Sequence, residues 1–142
     1  MILSLKDACT PRKSVFDTNT RDTVYSLDDL HSIDAAEFFD ENFVTSGMRT
    51  LLTEVMSRMD GSNPDANGAF LLSQSMGGGK THNLLALGLL AMHPNLRREI
   101  LQGIYPVRDF GEVRVITFSG RQNPDYGFWG DLAEQLGRSQ VL

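Results

Sequence analysis

Residues 71–90 read LLSQSMGGGKTHNLLALGLL, two apolar runs flanking three glycines and a Lys-Thr pair. A triphosphate can be held without bulky side chains when consecutive backbone N–H groups curl round it at a helix start, where the dipole adds partial positive charge. Such a cradle needs residues that tolerate unusual dihedrals and close approach, which Gly77, Gly78 and Gly79 supply. Lys80 is placed to reach the β and γ phosphates as a point charge, and Thr81 to offer a hydroxyl to Mg²⁺. These two are the candidate catalytic residues, and Thr81 the candidate metal ligand. Gln74, Ser75, Met76 and His82 complete the candidate contact set around the loop.

The match to G-x-x-x-x-G-K-[ST] is partial, because Gln74 stands where the first glycine belongs. That glycine serves the turn into the loop, whereas the phosphate cradle lies nearer the lysine. Its loss alters the entry to the loop and leaves the anion nest in place. Gln74 is first a matter of backbone geometry and second a possible phosphate donor. His82 and Asn83 could approach the nucleotide, but each reads more readily as a helix residue at the rim.

Working outward, Ala69-Phe70-Leu71-Leu72-Ser73 has the pattern of a short buried strand, and residues 112–118, EVRVITF, of a second. Between them a helix is expected from Lys80 to Met92, apolar nearly all round and therefore buried. Gly88 inside it is explained by a close helix-to-sheet approach. His93-Pro94 ends that helix, PNLRREILQG gives a shorter one closed by Gly103, and Phe128 to Leu136 a last one. The order strand, glycine turn, helix, strand, helix predicts an α/β fold, an incomplete P-loop NTPase (AAA+-like) parallel sheet.

Upstream, Asp34 reads as the cap of a helix carrying Phe38, Phe39 and Phe43 on one face. A second helix runs from Thr45 or Ser46 to Met59, with Met48, Leu51, Leu52, Val55, Met56 and Met59 as its apolar stripe. That methionine-rich stripe reads as core before it reads as a binding groove. Val24, Tyr25 and Leu27 hint at an extended segment. The chain thus divides into an N-terminal helical flanking segment, 1–60, and the first part of a P-loop domain, 61–142, which stops before any acidic Mg²⁺-binding strand.

Composition narrows the class. With 142 residues, 41% apolar and 22% charged, the chain can bury one core. A net charge of -5 argues against a general nucleic-acid surface. Seven acids and no Lys or Arg fall in residues 22–42; without regular ligand spacing they read as a solvated face and caps, not a metal site. Cys9, the single cysteine, cannot form an internal disulfide and points to a reducing compartment; with no base identified beside it, it reads as an ordinary thiol. No apolar run reaches the length of a membrane span, so the expected location is cytoplasmic. Arg121, after the second expected strand, reads as a solvated arginine before a phosphate contact.

Three stretches, DTVYSLDDLHSIDAAEFFDENFVTSGMRTLLTEV, LLSQSMGGGKTHNLLALGLLAMHP and VRVITFSGR followed by YGFWGDLAEQLG, together resemble the start of large prokaryotic AAA+-like ATPases. The genes of that family tend to sit beside DNA methyltransferases and helicases in phage-defence clusters. The resemblance spans roughly residues 12–137 and implies that Gln74 is normal for the family. It implies ATP and Mg²⁺ bound through Gly77, Gly78, Gly79, Lys80 and Thr81, with the acidic, sensor and arginine-finger residues beyond residue 142. It further implies a homo-oligomer of the full-length protein and partners in a DNA-modification complex. On this reading the 142 residues bind nucleotide without turnover. The alternatives are a small-molecule phosphotransferase using the same loop, or a non-enzymatic interaction module built on the methionine helix and acidic segment.

Overall fold

A computed structural model of the chain describes residues 4, 9–11, 16, 25–73, 75, 77–120 and 127–137. Val24, Gln74, Met76 and Arg121, named above, lie outside the described residues. A short 3₁₀ helix, Leu27–Asp29, is closed by a reciprocal capping box. Ser26 Oγ accepts from the Asp28 amide, and the Ser26 amide donates to Asp29 Oδ2 at 2.9 Å.

Helix α1, Ala35–Glu41, starts at Asp34, whose carboxylate accepts from the amides of Ala36 and Glu37 at 2.9 and 3.0 Å. Phe38 and Phe39 are buried, but Phe43 is not on their face. Asn42 ends the helix in an extended conformation, its side-chain amide donating to the Phe38 carbonyl, and Phe43 emerges 79% exposed. Helix α2, Ser46–Met59, is capped by Thr45 and buries Met48, Leu51, Leu52 and Met56. Its methionine stripe is core. Helix α3, Lys80–Met92, occupies the span its apolar pattern demands. Helix α4, Pro94–Ile100, begins with proline in the first turn, where the missing N–H costs nothing. Helix α5, Gly127–Gln135, lies one residue earlier than its sequence pattern suggests.

The parallel sheet is not there. The fold is helical, and among the described residues there is no strand. Residues 69–73 and 112–118 carry strand-like composition, but neither pairs with the other. Two short runs make at most a two-stranded ribbon, which is marginal in water. Each finds a different solution. Residues 112–118 lie against α3, where Val115 approaches Gly88. The carboxamide of Gln135 on α5 occupies the place of a neighbouring strand, accepting from the Thr117 amide at 3.1 Å and donating to the Thr117 carbonyl at 2.7 Å. Residues 69–73 stay outside the core, with Leu71 91% exposed.

The core is therefore helix on helix. Leu30, Phe38, Phe39, Met48, Leu52 and Met56 pack with Leu85, Ala86, Leu89, Leu90 and Leu101, so it draws on both sides of residue 60. Helix α3 is its centre, and the glycine loop is its N-terminal entrance.

Candidate functional site

The loop before α3 is shaped by its glycines. Gly77 has φ 79° and Gly79 φ 76°, both in the left-handed region that side chains with a Cβ rarely adopt. Open space surrounds both positions, so the requirement is conformational and not a close packing contact. A turn closes within the loop as the Gly78 amide donates to the Ser75 carbonyl at 3.0 Å. Gly79 is the N-cap of α3, and its carbonyl accepts the first helical bond, from the Asn83 amide at 2.9 Å. Having no side chain, Gly79 cannot cap the first-turn amides as serine or aspartate would.

The candidate side chains divide into two groups. Lys80 and Thr81 occupy the first two helical positions, beside the loop. Lys80 folds back across it, its Nζ donating to the Ser75 carbonyl at 3.0 Å. A cation, a helix start and two left-handed glycines thus converge within a few residues. Thr81 is exposed at the helix entrance. Ser75, Gly77, Gly78 and Gly79 are exposed as well.

His82 and Asn83 belong to the second group. The His82 ring stacks on Phe38 at 4.7 Å between centroids, tying the first turn of α3 to α1. Burial pulls its pKa below the ordinary histidine value, favouring the neutral ring. Asn83 is buried, 7% exposed. Both residues brace the helix on its inner side. Gly88 explains how α3 seats so deeply: a Cβ there would meet both Leu30 methyls at 3.0 Å and Val115 Cγ1 at 3.4 Å.

Two residues that set the position of α3 carry no motif. Arg97 on α4 is 1% exposed and donates through Nη1 to the carbonyls of Leu90 and Ala91, at 3.2 and 3.0 Å. It supplies at the C-terminal end of α3 the cation that the helix dipole favours there. The guanidinium also lies 3.8 Å from the Phe110 ring centroid and 3.6 Å from Asp109. Burial lowers its pKa and the Asp109 charge works against that shift. The second residue is Asp60, which caps α2 and accepts from the Tyr105 hydroxyl at 3.0 Å and the Arg108 amide at 2.9 Å. It anchors residues 105–108, the stretch leading to the Val113–Phe118 segment that lies over α3. A Pro-x-x-Arg just after a buried helix is a weak sequence signal for the first. The Asp-Gly stop after α2 gives no signal for the second.

Among the described residues, no group of His, Cys, Asp and Glu is arranged to hold a metal ion. No described helix is long and apolar enough to cross a membrane. The arrangement is a helical domain that presents a glycine-rich, lysine-bearing loop at the entrance of its central helix. The chain belongs to the DUF499 family: the model of the DUF499 N-terminal domain matches residues 15–110. That span takes in the 3₁₀ turn, α1 to α4 and the whole glycine loop. No curated protein and no solved structure matches the chain.

Proposed function

We propose that this domain binds ATP with Mg²⁺ through the loop Ser75–Gly79 and the first turn of α3. The observation that carries the reading is the convergence at one helix entrance of Gly77 and Gly79 in the left-handed region with Lys80 folded over the loop. Left-handed glycines turn backbone amides towards a common point, and the helix dipole favours an anion there. Lys80 supplies the point charge for the β and γ phosphates; its bond to the Ser75 carbonyl is one an arriving phosphate replaces. Thr81 supplies the Mg²⁺ hydroxyl. The reading stands on the loop and helix alone and requires no sheet. Chance is a poor alternative, since a GGGK[ST] run in a chain of this length is roughly a one-in-a-thousand event at average glycine usage.

The wider role follows from the resemblance to AAA+-like ATPases of phage-defence clusters. On that basis the domain is the nucleotide-binding entrance of a longer, oligomeric, cytoplasmic ATPase that works with DNA-modification partners. Turnover then depends on an acidic residue supplied from outside these 142 residues.

Titration of a fluorescent ATP analogue with Mg²⁺ tests the binding step. Lys80→Ala removes one charge-assisted contact of about 1.5–3 kcal/mol, a loss of roughly ten- to a hundredfold in affinity. Equal affinity of the two proteins would end this reading.

A further inference from the structure

Helix α3 has an apolar groove along one side that no part of the described chain fills. It holds about 380 Å³ and lies between α2, α3 and residues 113–118, with Val55, Met59, Leu84, Leu87 and Phe118 among its walls. Leu84 in this wall is 40% exposed. Just before the glycine loop, the run Ala69-Phe70-Leu71-Leu72 is only partly covered: Leu71 is 91% exposed, Phe70 and Leu72 are half-buried, and none of the four belongs to the core. An apolar run and an apolar groove, each lacking full cover and joined by one short tether, complement each other.

We propose that residues 69–73 form a strap that closes into this groove, carrying Leu71 onto Leu84, and that phosphate held at the glycine loop favours the closed form. Reach permits it. The turn that joins Ser75 to Gly78 holds Ser75 at the entrance of α3, Ser73 lies within about 7 Å of it, and an extended five-residue segment is about 17 Å long. The groove wall from Leu84 to Ala91 is about 10 Å of helix. The strap can therefore fold back along α3 and cover its length. Closure buries Leu71, which now faces water, and completes the burial of the half-buried Phe70 and Leu72. The phosphate trigger alone rests on the reading given under Proposed function. Its logic is that the loop is the tether, so an anion that fixes the loop removes freedom the open strap enjoys.

Cysteine pairs in the full chain, with Cys9→Ser as background, test the closure. The variant Leu71→Cys/Leu84→Cys is expected to form an intramolecular crosslink with a short bismaleimide at least fivefold faster than Leu71→Cys/Asn95→Cys, whose second thiol lies on α4. Equal rates, or crosslinks only between chains, would overturn the strap. As an independent check, Leu71→Asp is expected to lower the unfolding temperature, whereas a leucine that stays in water can be replaced without effect. Saturating Mg-ATP is expected to raise the 71–84 rate at least threefold. If the fluorescent analogue binds and the rate does not change, the trigger fails while nucleotide binding stands. If the analogue does not bind, the loop reading fails and the nucleotide-free rates alone decide the strap.

Discussion

Arg97 shows how one residue can be misjudged by type and correctly weighed by its contacts. Arginine in RREI reads as surface charge, yet this one is among the largest fully buried side chains. Its Nε has no hydrogen-bond partner among the described residues, so burial is not free. What offsets it is the pair of α3 carbonyls and the Phe110 ring, not the ion pair, because Asp109 is 70% exposed and 3.6 Å away. Arg97→Ala should therefore cost about 3 kcal/mol or more, combining two charge-assisted bonds with lost packing. Asp109→Ala should cost less than about 0.5 kcal/mol. Urea unfolding of the two variants measures both. Comparable losses would mean that the ion pair, and not the cap on α3, holds the guanidinium in place.

Among elements, the helices were legible and the absence of a sheet was not, for physical reasons. Helices announce themselves locally: Asp34 caps in sequence as it does in space, the helix expected from Thr45 or Ser46 starts at Ser46, and α3 keeps the limits its apolar run sets. A strand is made by a partner elsewhere, and EVRVITF shows only the capacity to be one. Here its partner for Thr117 is the side chain of Gln135, which no periodicity reveals. Of the loop's three glycines, the need at Gly77 and Gly79 was legible because their positive φ values are a local demand. The fold of Lys80 onto Ser75 was not, since a flexible side chain carries no sequence pattern. Gly88 is intermediate. Its oddness in a helix signalled a close approach, but the neighbours proved to be Leu30 and Val115, not a sheet. Leu30 is 1% exposed and sits inside the core. Gly88→Val should then cost about 2–3 kcal/mol by overpacking. Gly88→Ala should stay within about 1 kcal/mol of wild type, since its helix-propensity gain of up to about 1 kcal/mol opposes a milder overlap. Thermal unfolding of the two checks the order, and a stabilised valine variant would show that α3 does not seat on Leu30.

Across the whole molecule, Asp60 at the end of α2 ties the helical core to residues 105–108 through two long-range hydrogen bonds. Burial alone would raise the pKa of its carboxyl. Bonds from Ser62, the Arg108 amide and the Tyr105 hydroxyl more than offset this and hold it at about 2, against an ordinary value of 3.8. The sign of the linkage follows from that depression. The unfolded chain takes up the proton first as pH falls, so the stabilisation is complete above about pH 4 and disappears as pH drops through about 2. Discounted for solvent screening at this half-buried position, it amounts to about 1 kcal/mol. Asp60→Asn should be less stable than wild type by about that much at pH 7, and the gap should close as both are unfolded at successively lower pH down to about 2. Taking the difference between the two proteins cancels the titration of the other carboxylates. A gap that stays constant with pH would mean that the link between α2 and residues 105–108 does not depend on the Asp60 charge, and that the Val113–Phe118 segment is held over α3 by packing alone.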